Sequence, residues 1–221
     1  MLLEPGMECW YRNGCNLYTE NCYKTCHRYL EMHYLISNCG MKYASKYIKP
    51  IQPEKRDLKA FVRLQEIKDN VVSFVRNGDN LYIVSKNSGN GKTTWSLKIL
   101  YKYFDEIWNG NGFRVRGYFI YVPDLLDKLK NQKYKETEEY KEIDDVIKKS
   151  DIVVWDDICS ASTQADINIL TRYIDYRCLN GKANIYNGNL LGNDLKEKLG
   201  DRLFNKIYQN SEVVEFKGQR C

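Results

Sequence analysis

Val84-Ser85-Lys86-Asn87-Ser88-Gly89-Asn90-Gly91-Lys92-Thr93-Thr94 is the stretch that decides the fold. It follows a short apolar run, Leu81 to Val84, and opens a segment of helical periodicity from Lys92 to Trp108. A strand, a glycine-bearing loop and a helix in that order form the context of a phosphate-binding loop. Gly89 and Gly91 allow backbone N–H groups to turn inward around phosphate oxygens, with Asn87, Ser88, Asn90 and Thr94 in the same cradle. Lys92 is spaced to reach the terminal phosphates, and the Thr93 hydroxyl to bind magnesium. The usual pattern begins with Gly, where this chain has Lys86, so φ at that position is expected to stay negative.

Further along, Ile152-Val153-Val154-Trp155 is a fully apolar run ending in Asp156-Asp157. An acid at the tip of a strand beside the loop holds magnesium, and the next carboxylate orients or deprotonates an attacking water. Asp156 is therefore assigned to the metal and Asp157 to the water. Around these motifs, apolar runs alternate with helical patterns. Strands are expected at 81–84, 117–122, 152–155, from 184, and at 213–216. Helices are expected at 92–108, 124–130, 140–149, 165–178 and 194–208. That alternation predicts an α/β fold with a central, mainly parallel sheet covered on both faces.

The chain has 221 residues, 43% apolar and 29% charged, which excludes a disordered or collagen-like chain. No apolar run approaches the roughly 20 residues of a membrane span. The N-terminus MLLEPGMECW lacks the basic start and apolar stretch of a signal peptide, so a cytoplasmic, reducing setting without membrane contact is expected. A formal charge of +5 permits contact with phosphate without demanding it.

Of eight cysteines, five fall early: Cys9, Cys15, Cys22, Cys26 and Cys39. Disulfides are not expected in a reducing compartment, so the cluster points to zinc held by Cys9, Cys15, Cys22 and Cys26, with His27 and Cys39 as possible substitutes. This divides the chain into a cysteine-rich head at 1–40, a linker at 41–56 containing Pro50 and Pro53, and a body at 57–221. Tyr29, Leu30, Met32, Leu35 and Ile36 predict a short helix late in the head. Leu58, Phe61, Val62, Ile67, Val71, Phe74 and Val75 predict one helix over 57–75, stopped by Asn77-Gly78. Between Pro123 and Ser150 lie Lys128, Lys130, Lys133, Tyr134 and Lys135, then an acidic run from Glu136 to Glu142. Lysines with an interleaved tyrosine can hold phosphate and stack a base, so this insert is a candidate contact for single-stranded DNA; the alternative is a solvated charged face.

The loop and the Asp-Asp strand, followed by Tyr176-Arg177, Ile185-Tyr186-Asn187-Gly188-Asn189-Leu190 and Leu199-Gly200-Asp201-Arg202-Leu203, resemble the AAA+ domain of DnaC/DnaI-type helicase loaders. The transposition helper ATPase IstB is a related family. The resemblance covers about residues 57–220. It implies an ATPase using ATP and magnesium, which binds a replicative hexameric DnaB-type helicase, places it on single-stranded DNA and self-associates through AAA+ interfaces. It also implies that Asn189 is the polar sensor of the γ-phosphate, with Asn187 as the alternative. Arg202 would reach a neighbouring subunit's nucleotide, with Lys206 where the family often has a second arginine. Arg220 resembles the C-terminal arginine that touches nucleotide. DnaI-type loaders also have a zinc-binding head that docks on the helicase. The same motifs leave open an IstB-like helper, a small-molecule nucleotide kinase, or a protein that holds ATP without cleaving it.

Overall fold

The computed structural model describes residues 15, 18, 19, 22, 26–41, 55–107, 113–131 and 137–218. Five short strands, β1 (Asn80–Val84), β2 (Gly117–Tyr121), β3 (Ile152–Asp156), β4 (Ala183–Gly188) and β5 (Glu212–Glu215), form one sheet in the order β2-β3-β4-β1-β5. Every neighbouring pair is parallel. A parallel sheet needs a crossover between successive strands, and helices supply them here. The helices are α1 (His27–Ser37), α2 (Leu58–Asp69), α3 (Val71–Asn77), α4 (Lys92–Ile107), α5 (Val122–Lys130), α6 (Glu138–Lys149), α7 (Gln164–Leu179) and α8 (Gly192–Phe204).

Strand alternation divides the core into two layers. Leu81, Ile83, Ile152, Val154 and Ile185 face α1 to α4, meeting Met32, Leu64, Phe74, Leu97, Leu100 and Phe104. Tyr82, Val84, Val153, Trp155 and Tyr186 face α5 to α8, meeting Leu126, Ile147, Leu170, Ile174, Leu195 and Leu203. These side chains are buried, and each contributes about 1.5–3 kcal/mol by leaving water. Helix α1 belongs to the first layer: Met32, Leu35 and Cys39 pack there, and the Cys39 carbonyl accepts from the Phe119 N–H at 2.7 Å.

Two expected helices are interrupted. The segment over 57–75 breaks at Asn70 (φ −108°, ψ 24°), whose side-chain amide donates to the Glu66 carbonyl at 3.0 Å and competes with the helical ladder. The segment over 194–208 kinks at Gly200 (φ 77°, ψ 163°) and ends in a wide turn over Asn205–Gln209. Gly78 (φ 72°) closes α3 in the left-handed conformation, as Asn77-Gly78 suggested. The sheet is wholly rather than mainly parallel.

At the amino edge of the sheet a buried arginine joins the layers. Arg177 on α7 donates to Asn184 Oδ1 (2.7 Å) and to the carbonyls of Ile147 (2.7 Å), Ser150 (2.9 Å) and Ala183 (2.6 Å). These four partners are carbonyl oxygens, and burial pulls the guanidinium down to a pKa of about 10. Asn184 Oδ1 also accepts from Trp155 Nε1 at 3.1 Å. Arg177 of the Tyr176-Arg177 pair is thus an architectural residue, whereas Tyr176 is exposed. Arg177→Ala is expected to lower stability by about 3 kcal/mol, because buried carbonyls lose a charged donor; urea unfolding followed by circular dichroism measures it.

Candidate functional site

Gly89 (φ 81°) and Gly91 (φ 83°) both take the left-handed conformation that lets the loop after β1 curl over the start of α4. Lys86 is exposed and keeps a negative φ: among the described residues other than glycine, Asp157 alone has a positive one. The loop is braced from within. Ser85 Oγ accepts from the Asn87 N–H (3.2 Å) and from Asn90 Nδ2 (2.9 Å). Lys92 Nζ donates to the Asn87 carbonyl at 3.2 Å.

All strand tips share the carboxyl edge, but β3 does not lie beside the loop's strand as expected. Strand β4 runs between them. Its tip therefore carries a side chain into the gap. Asn187, 1% exposed, donates from Nδ2 to Asp156 Oδ1 at 2.7 Å and accepts at Oδ1 from Ser96 Oγ at 2.8 Å. Thr93 Oγ1 donates to the same carboxylate at 2.9 and 3.2 Å. Thr93 and Asp156, drawn apart by 63 positions in the chain, are thus in direct contact.

The electrostatics follow from burial. Desolvation pushes the Asp156 carboxyl above the ordinary carboxylate range, against the Asn187 and Thr93 hydrogen bonds that favour its ionised form. Desolvation also pulls the Lys92 ammonium below its ordinary value, with Asp156 and Asp157 opposing the shift. Asp157 (φ 59°, ψ 49°) turns the chain sharply out of β3, a conformation that costs a side-chain-bearing residue about 1–2 kcal/mol. A threonine hydroxyl and a desolvated carboxylate converging beside an ammonium fit a hard divalent cation with phosphate ligands. Thr93 and Asp156 are the residues able to hold magnesium.

Other expected residues are distributed as follows. Asn189 is exposed in the turn after β4, so Asn187 is the amide brought against Asp156. Arg202, just past the Gly200 kink, pairs with Asp175 of the same chain; its side chain is 76% exposed, and Lys206 lies 4.0 Å from the other Asp175 oxygen. Asn87, Ser88, Gly89, Asn90, Gly91 and Thr94 lie in the loop and the first turn of α4. Arg220, Cys9, Lys133, Tyr134 and Lys135 lie outside the described residues. Lys128 pairs with Glu139 (2.8 Å) and Lys130 with the buried Asp166 (2.9 Å), which stands in the first turn of α7 and accepts from the N-cap Thr163 N–H as part of a capping box. Lys128 and Lys130 thus each have a carboxylate partner while their side chains stay 47% and 43% exposed.

The zinc expectation is not met. Cys15, Cys22 and Cys26 are free thiols, and among the described residues no three His, Cys, Asp or Glu side chains gather as a metal site. Cys22 is exposed, and its Sγ accepts from the Thr19 N–H at 3.2 Å. Cys9, the fourth expected ligand, lies outside the described residues. Among the described residues no helix is long and apolar enough to cross a membrane.

Sequence reasoning missed three residues. Ser96, one helical turn after Lys92, positions Asn187. Gly188 is required by space: a Cβ there would meet Tyr82 Oη at 2.4 Å and Cys159 Sγ at 2.8 Å. Cys159 fills the volume beside Gly188 and lies 3.7 Å from Tyr82 Oη. Its place after Asp156-Asp157 was the available signal.

No protein-family model matches the sequence, and no curated protein sequence matches it significantly. Solved structures do. The DnaC helicase loader superposes with a TM-score of 0.64 at 22% identity, over 84% of this chain and 99% of that one. DnaI gives 0.60 at 18% identity, over 79% and 88%. DnaA from Aquifex aeolicus, bound to AMPPCP, gives 0.60 at 16% identity, over 76% and 51%. The chain therefore shares the α/β fold with a central parallel sheet of these structures.

The raised Asp156 pKa has a consequence for stability. The folded chain binds a proton here more readily than the unfolded chain, so this contribution is full below the unfolded carboxylate pKa and is lost as pH rises through the folded value. At neutral pH the ionised group therefore opposes folding. Asp156→Asn is expected to raise stability at pH 7 by about 1 kcal/mol and to flatten the stability profile from the ordinary carboxylate range upward; thermal melts across a pH series check both.

Proposed function

We propose that the chain is an AAA+ ATPase that loads a replicative hexameric helicase onto single-stranded DNA. The observation that carries the nucleotide part is the meeting of Lys92, Thr93, Asp156 and Asn187 at one edge of the sheet. On this reading the backbone from Asn87 to Thr94 cradles the phosphates and Lys92 neutralises the terminal ones. Thr93 and Asp156 hold magnesium, which when bound supplies charge neutralisation along the triphosphate. Asp157 takes a proton from the attacking water as its oxygen bonds to the γ-phosphorus and the bond to ADP breaks. Asn187 holds Asp156 in place, and Asn189 contacts the γ-phosphate or the water. Arg202 acts on a neighbouring subunit's nucleotide after leaving Asp175, so turnover depends on assembly. Arg220 closes on the nucleotide from the C-terminus.

The partner rests on the fold's likeness to a solved chain of a DnaC helicase loader, over 99% of that chain. Fold alone does not carry function, so helicase, DNA and cytoplasmic setting are parts of the proposal. Single-stranded DNA is supported by a second likeness, to a DnaA bound to AMPPCP and single-stranded DNA (TM-score 0.61, 15% identity, over 82% of this chain and 52% of that one). The division into an N-terminal head, a linker and an ATPase body belongs to the same reading, with the head as the helicase-facing part and its helix α1 fastening it to the body's first layer.

Two measurements test it. Lys92→Ala is expected to weaken ATP binding by about a hundredfold, the scale of losing a charged hydrogen bond to phosphate; calorimetric titration reads it, and unchanged affinity removes the nucleotide site. Mixing the wild-type chain with a DnaB-type hexamer and ATP is expected to produce a heavier complex in native mass measurement. A hexamer of unchanged mass would remove the loader reading and leave the ATPase.

A further inference from the structure

Asp57 stands at the N-cap of α2, where a carboxylate ordinarily accepts from its own helix's first turn. It makes no such bond. It is 4% exposed, and its oxygens are directed across the fold to the strand tail that follows β5. Oδ1 accepts from the Lys217 N–H at 2.7 Å, and both oxygens accept from the Gly218 N–H at 3.1 Å. The next link is the other side of the same residue. The Gly218 carbonyl accepts from Asn87 Nδ2 at 3.0 Å and from Asn90 Nδ2 at 2.6 Å. Asn90 is 3% exposed, and its amide also donates to Ser85 Oγ. The Asn87 carbonyl accepts from Lys92 Nζ.

A buried carboxylate, a strand tail and two loop amides thus form one hydrogen-bonded series ending at the phosphate-binding lysine. Neither Asn87 nor Asn90 is demanded by the glycine-lysine pattern of such a loop. Their joint grip on a single carbonyl gives these two residue types a reason to stand there. The loop must present its backbone N–H groups in one arrangement before a ligand arrives, and the series fixes that arrangement from outside the loop.

We propose that Asp57 is a positioning residue for the phosphate-binding loop, acting through the Lys217–Gly218 backbone on Asn87 and Asn90. The inference rests on the nucleotide reading of the loop and adds to it a residue that contacts no ligand itself. The series does not include Thr93, Asp156 or Asn187, which form the metal side of the site. Weakening it therefore loosens nucleotide binding in ground state and transition state alike, so KM rises while kcat at saturating ATP holds.

The test uses the full-length chain and a fluorescent ATP analogue, with steady-state hydrolysis alongside. Asp57→Ala is expected to raise Kd and KM about tenfold. Asp57→Asn keeps one acceptor oxygen and should fall between it and the wild type. Asn90→Ala should weaken binding similarly, and the double variant Asp57→Ala/Asn90→Ala should be little worse than either single change, because both break one series. Wild-type affinity in Asp57→Ala overturns the proposal, as do losses that multiply in the double variant. A fall in kcat with KM unchanged also overturns it. If Asp57→Ala does not fold, Asp57→Asn and its double with Asn90→Ala decide by the same rule. A wild-type chain that binds no nucleotide overturns the site reading and this inference together, whereas normal wild-type binding with an indifferent Asp57→Ala removes the inference alone.

Discussion

A carboxylate drawn out of water organises the carboxyl edge of this sheet. Asp156 is desolvated enough that its neutral form is favoured relative to an exposed acid, yet it is surrounded by donors suited to the ionised form. Lys92, nearby, is displaced in the opposite sense by the same burial. Two groups of opposite charge are each held partly out of solvent, and neither environment is explained by folding alone. Such opposition between local preference and position is characteristic of sites that handle charge. The left-handed turn at Asp157 adds a further local cost at the same point.

Strand order makes this juxtaposition possible. With β4 between β1 and β3, the loop lysine and the acidic tip are not on adjacent strands, and the intervening tip supplies an amide that touches the acid. Because all five strands are parallel, every tip that follows a strand lies on one edge, where crossover loops leave a crevice. At the opposite edge Arg177 gathers carbonyls from α6, the turn before β3, and β4.

Much of this was legible in the residues. The loop, the apolar strand ending in Asp156-Asp157 and the alternation of elements lead to the fold and to the Thr93–Asp156 pairing, because period and short-range motif carry those signals. What was not legible depends on long-range choice. Nothing local distinguishes Asn187 from Asn189; strand register does, placing 187 inside the sheet and 189 beyond it. Asn70 and Gly200 interrupt helices whose apolar spacing continues past them, since periodicity records burial rather than backbone continuity. The early cysteines invited a metal because spacing alone does not reveal whether thiols converge. The ion pair of Lys130 was not legible either, because its partner Asp166 lies 36 positions away on another helix (166 − 130 = 36).

Strand β4 shows how the two edges depend on one another. All six of its residues are buried, so any polar side chain on it must find partners within the protein. It carries Asn184 and Asn187, whose odd spacing sends them to opposite faces. Asn184 meets Arg177 and Trp155 on the α7 side, and Asn187 meets Ser96 on α4 before reaching Asp156. An amide can accept and donate at once, which a hydroxyl manages less rigidly and a carboxylate not at all. Each asparagine therefore fastens the strand to a different helical layer while using its remaining hydrogen-bonding capacity along the sheet. The central strand is held in register by the same kind of group that, at its other end, orients the acid, and its placement between β1 and β3 brings the architecture and the chemistry into one hydrogen-bonded element.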